Sequence, residues 1–158
     1  MKNKFLIVAL SLFIVGLSTL TSLAQIAPRL IPTLGPGIPW TESQLLEPSV
    51  LAANIKVAEK ATPVIFNIGA VEDIKGAKHI GPVSHNENMN SLKAAVSSMP
   101  KNTEIIIYCG CCPFAKCPNI RPAFLELKKL GFNNIKLLNL PVNLQTNWIS
   151  KGYPLAKS

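Results

Sequence analysis

The chain has 158 residues, a formal net charge of +8 from 16 Lys and Arg against 8 Asp and Glu, and 48% hydrophobic residues. That length can supply one domain with a real core. The lysines are scattered and no aromatic residues interleave with a basic run, which argues against nucleic-acid binding and leaves solvation and export as the reading of the charge.

Lys2 and Lys4 precede an apolar run from Phe5 to Leu17, and a polar stretch then ends in Ser22-Leu23-Ala24. This pattern predicts a signal peptide over residues 1–24 with cleavage before Gln25. The apolar run is shorter than the ~20 residues a membrane-spanning helix needs. No cysteine stands directly after the cleavage site, so no lipid anchor is expected. The protein should be exported, periplasmic or secreted, with no stable membrane anchor once the signal is removed. Residues 25–39 hold four prolines and two glycines without periodicity and read as an extended lead-in. Residues 40–158 should form the folded domain.

Within that domain, Thr41-x-x-Gln44 has the form of a capping box and predicts a helix start. Pro48 interrupts it, and helical character resumes over "SVLAANI". "PVIFNIG" (63–69) reads as a buried strand. "SLKAAVSSM" (91–99) predicts a helix with Leu92, Ala95, Val96 and Met99 on one face. "TEIIIYC" (103–109) is apolar on both faces, as a central parallel strand should be. "PAFLELKKLGF" predicts a helix with Ala123, Phe124, Leu127 and Leu130 inward and Gly131 as its left-handed stop. "NIKLLNL" (134–140) is a further strand. Alternating strands and helices predict an α/β fold with a central, mostly parallel sheet flanked by helices.

All four cysteines fall in one segment, "YCGCCPFAKCPNIRP", from Tyr108 to Pro122. It leaves the carboxyl end of a central strand and enters the amino end of a helix, the edge where open α/β sheets bind ligands. Unpaired helix N–H groups favour an anion there. Between Cys109 and Arg121 the only charged residues are Lys116 and Arg121 themselves, so a thiolate is favoured. A disulfide inside Cys109–Cys117 would close a very short loop and stabilise little. The Cys–Arg spacings exclude a C-x5-R phosphatase loop.

The order of pieces resembles the rhodanese-like family of sulfurtransferase domains over roughly residues 41–154. "VIFNIG" sits at the family's strand ending in an Asp-Val-Arg type sequence, and "GAKHIGPVS" resembles its Gly-His-Ile-Pro-Gly-Ala turn. "IIIYC" is similar to the strand delivering the catalytic cysteine. "LKKLGFNNIKLLNL" and "NWISKGYP" resemble the closing helix, strand and Trp…Gly-Tyr-Pro ending. The resemblance implies that Cys109 is catalytic, taking a sulfane sulfur from a donor such as thiosulfate and passing it on from a persulfide. It implies anion binding by the loop, here Gly110, Cys111, Cys112, Lys116 and Arg121. The partners would be a small sulfur-containing anion or a low-molecular-weight thiol, with no cofactor.

The chain departs from the family in several places. Arg121 stands twelve positions after Cys109 instead of closing a short loop. Asn67 and Gly69 replace the usual acidic and basic residues, and Pro141-Val142 replaces paired glycines. Cys111, Cys112 and Cys117 are expected as possible resolving thiols. His79 is expected to be structural and His85 to lie on a surface loop, while Trp148 and Tyr153 should anchor the core. Three other readings are a metal module using Cys109, Cys111, Cys112 and Cys117, with copper fitting the close spacing better than zinc, a thiol-redox module, and a catalytically inactive binding domain.

Overall fold

The computed structural model describes residues 37–57 and 63–157, so the expected signal peptide and most of the lead-in lie outside the described residues. Among the described residues, five short strands form one sheet: β1 (Leu45–Leu46), β2 (Val64–Asn67), β3 (Ala77–His79), β4 (Ile105–Tyr108) and β5 (Ile135–Leu138). The strand order is β1-β5-β4-β2-β3, and every pairing is parallel. This is the α/β architecture that the alternation of elements predicts.

Side chains alternate across the sheet, as a period of two requires. Ile105 and Ile107 of β4 join Phe66 and Leu137 on one face, under helices α2 (Asn86–Val96) and α3 (Ile120–Lys129). Ile106 and Tyr108 join Ile65 and Leu138 on the other face, under α1 (Pro48–Val57) and the short α4 (Leu144–Asn147). All four residues of β4 are buried. A strand covered on both faces has no use for a polar position, which explains the unbroken apolar run.

Helix α3 buries Ile120, Ala123, Phe124 and Leu127 and ends in a Schellman motif. The Phe132 N–H reaches the Leu127 carbonyl at 3.1 Å and the Gly131 N–H that of Lys128 at 2.9 Å. Trp148 is wholly buried, packs edge-on against Tyr153 with ring centroids 5.2 Å apart, and donates its indole N–H to the Pro154 carbonyl. Both aromatics anchor the end of the domain, as the sequence suggests.

Two local expectations need correction. The helix expected at Thr41 is one 3-10 turn, Glu42–Gln44, in which the Gln44 side chain accepts the Thr41 N–H at 3.0 Å. The chain then enters β1, a two-residue edge strand too short to show a period. The "GAKHIGPVS" segment, expected as a turn, contains β3 at the opposite edge. Lys78 and His79 are exposed there, so its apolar pattern is faint.

His79 Nδ1 lies 3.0 Å from Asp73 Oδ1 and 3.2 Å from Asn67 Nδ2. Asn67 is fully buried and also donates to the Val71 carbonyl and Asp73 Oδ1, both at 2.8 Å, while its Oδ1 accepts the Gly69 N–H. Asn67 therefore organises the turn after β2, and His79 completes that structural network. His85 is exposed at the start of α2.

Candidate active site

The β4 strand ends at Tyr108, so Cys109 is the first residue beyond the ladder at its carboxyl end. Gly110 then turns the chain with φ +74°, a conformation that side chains other than glycine rarely adopt. The loop is fastened twice to the segment after β5. Gly110 O accepts the Leu144 N–H at 2.8 Å, and Leu140 O accepts the Phe114 N–H at 3.1 Å. Phe114 begins a 3-10 turn that runs to Lys116. Its ring lies against Trp40, which also meets Phe124 of α3 edge-on. The loop is thus held by three contacts, and its thiols have defined places.

Cys109 is buried, 2% exposed, where a glycine- and proline-rich loop suggests a surface position. Its sulfur stands 3.2 Å from that of Cys111 and accepts the Asn119 Nδ2–H at 3.3 Å. Hydrogen bonds from Cys117, Asn119 and Cys111 overcome the opposing effect of burial and hold the Cys109 thiol down to about 5, the Cys117 bond being the largest contribution. A thiolate is therefore favoured at neutral pH.

Cys111 and Cys117 remain protonated around it. Cys117 is pushed far above the usual range by its hydrogen bond to Cys109 and then by burial. Cys111 is pushed up to about 12, first by desolvation of its sulfur against the loop and then by its bonds to Cys109 and Cys112. The residue as a whole is exposed, but its sulfur faces two neighbouring sulfurs. One negative charge serves the cluster, and it rests on Cys109.

The helix amino end acts differently from expectation. The N–H groups of Asn119 and Ile120, at the start of α3, bond the sulfur of Cys117 and not that of Cys109. Cys109 is reached instead by the Asn119 side chain and the Cys111 N–H. Asn119, which is buried, was not among the sequence candidates. Its signal was an Asn directly before a helix, a position ordinarily read as a cap. Here the cap side chain is turned to the thiol, and its Oδ1 accepts the Ser84 N–H at 2.9 Å.

Of the remaining candidates, Gly110 shapes the turn, while Cys112 is half-buried with its sulfur 3.5 Å from that of Cys111. Lys116 and Arg121 are exposed, and the Arg121 guanidinium lies against Gly37. Neither basic side chain is among the hydrogen-bond partners of Cys109. The Cys109, Cys111 and Cys117 sulfurs all lie within 4.8 Å of one another. All four cysteines are free thiols.

No family model and no curated protein matches the chain. Among solved structures it is similar to the crystal structure of the Alr3790 protein from Anabaena sp.. The two are 22% identical with a TM-score of 0.50, over 70% of this chain and 90% of that one. A likeness at this identity concerns the α/β fold. No helix among the described residues is long and apolar enough to cross a membrane.

Proposed function

We propose that the protein is a rhodanese-like sulfurtransferase that carries sulfane sulfur as a persulfide on Cys109. The observation that carries this reading is the Cys109 sulfur itself. It lies at the carboxyl end of the central strand, its thiol is held down to about 5, and hydrogen-bond donors surround it. A thiolate poised in this way is a nucleophile at neutral pH.

In the first step, the Cys109 thiolate attacks the outer sulfur of a donor such as thiosulfate. The donor's S–S bond breaks, sulfite departs with the electron pair, and Cys109 carries a persulfide anion. The donors that hold the thiolate also hold this anion. In the second step an acceptor thiolate attacks the terminal sulfur, and Cys109 leaves again as a thiolate. Cys111 is the nearest internal acceptor, since its sulfur is 3.2 Å away and the residue faces solvent, to which its proton can pass. In the exported setting suggested by residues 1–24, an adjacent acceptor shortens the life of an oxidisable persulfide.

Intact-mass analysis tests the reading, before and after thiosulfate and again after reductant. The expected product is one sulfur atom heavier, reverts on reduction, and is absent in Cys109→Ser. Full loading of Cys109→Ser would move the nucleophile to another thiol. Absence of loading in the parent protein would leave a non-catalytic binding domain.

A further inference from the structure

The three clustered sulfurs have a use that is independent of sulfur transfer. We propose that Cys109, Cys111 and Cys117 form a three-coordinate site for a soft monovalent cation, copper(I). Metal–thiolate bonds of about 2.3 Å set at 120° place sulfurs about 4 Å apart. The three sulfurs here already lie within 4.8 Å of one another, the closest pair being 3.2 Å apart. Binding therefore needs the Cys109–Cys111 pair to open slightly, with no rearrangement of the fold.

The donor set selects the metal. Thiolates favour soft ions such as copper(I), and zinc also accepts them but in four-coordinate structural sites. Among the described residues no His, Asp or Glu joins this cluster, and Cys112 falls outside it. The four-thiol set suggested by the sequence thus contracts to three. Three sulfurs from one loop suit trigonal copper(I), whereas zinc would need a water to complete its tetrahedron.

The surroundings support a charged sulfur site. Cys109 accepts hydrogen bonds from the Asn119 side chain and the Cys111 N–H, and Cys117 accepts them from the Asn119 and Ile120 N–H groups. Such bonds offset the excess negative charge of three thiolates on a univalent ion and fix the ligands. Cys109 and Cys117 are buried, whereas Cys111 is exposed, so Cys111 is the ligand an incoming ion meets first. Binding is not a redox step: copper stays univalent, three Cu–S bonds form, and the protons still on the thiols go to solvent.

Anaerobic titration of the purified full chain with copper(I), in competition with a chromophoric copper(I) chelator, tests the proposal. One ion per chain is expected. Cys117→Ser and Cys111→Ser should each lose more than about 100-fold in affinity, and Asn119→Ala about 10-fold. Cys112→Ser should bind as the parent does. X-ray absorption on the loaded parent protein removes any dependence on how the variants fold. It should show three sulfur scatterers at about 2.3 Å. Two sulfur ligands, a fourth ligand, or tight binding that survives Cys117→Ser in a folded protein overturns the assignment.

Discussion

Asn119 Nδ2 donates to Cys109 Sγ at 3.3 Å, linking the residue before α3 to the residue after β4. Because its Oδ1 is held by the Ser84 N–H, the amide cannot flip without losing that bond. The donor is thus aimed at the sulfur by a contact on the opposite side of the loop.

Replacing this donor should raise the Cys109 pKa. A hydrogen bond to a charged group contributes about 1.5–3 kcal/mol, equivalent to roughly one to two pH units. Asn119→Asp keeps an acceptor for Ser84 but places a carboxylate beside the thiolate, so its shift should exceed that of Asn119→Ala. Ultraviolet absorbance of the thiolate against pH measures both. An unchanged midpoint near 5 in both variants would show that Asn119 has no electrostatic role.

The thiols also make stability depend on pH. Cys109 titrates near 5 when folded and near 9 as an ordinary thiol, so between these values the unfolded chain binds the extra proton and stability rises with pH. Above about pH 9 the unfolded chain ionises Cys111 and Cys117, which the folded chain keeps protonated, and stability falls. Denaturant melts in the presence of reductant should therefore show greatest stability near pH 8 to 9. In Cys109→Ser the rise from pH 5 should be lost, and its persistence would assign the effect to other groups.

Cys111→Ser should separate loading from release. The variant retains Cys109 and should take up one sulfur atom per chain from thiosulfate. Transfer onward to a small thiol should slow by at least ~10-fold, because the adjacent internal acceptor is gone. Single-turnover mass analysis distinguishes the two steps, and unchanged transfer would remove Cys111 from the relay.

Gly69 is the most constrained glycine beside the site. It lies so close to the Cys109 carbonyl that an added Cβ would overlap backbone atoms. Gly69→Ala must displace the end of β4 and should cost more than about 2 kcal/mol. The same displacement should disturb Cys109, so thermal stability and the thiolate titration should change together. A variant with native melting and a native titration would contradict this packing.

The central layer was legible because its physics is local and repetitive. Ile105 to Tyr108 form an unbroken apolar strand, and Ala123, Phe124 and Leu127 repeat at helical spacing. The edges were not legible. Leu45 and Leu46 make a strand only because Leu137 and Leu138 lie beside them, and no short-range pattern records that pairing. At the site, strand and helix placed Cys109 at the right edge of the sheet. Its burial, the contacts of Asn119, and the allocation of helix N–H groups to Cys117 depend on the path of a loop with no period to read. Arg121 attracted attention as the segment's terminal cation, yet its direction is set by a side-chain rotamer, and it lies against Gly37.

The pairing of β1 with β5 has a consequence for the newly made chain. Both strands that close this edge, together with the Leu140 and Leu144 contacts that fasten the cysteine loop, require residues that follow the cysteines. Non-local pairings of this kind form late and slow folding. As the chain emerges from the ribosome, its four thiols appear before the segments that shelter two of them. For a time, Cys109 and Cys117 are as open to oxidants and stray metal ions as Cys111. How quickly β5 and the Leu140–Leu144 segment dock would decide how many molecules reach the native thiol arrangement.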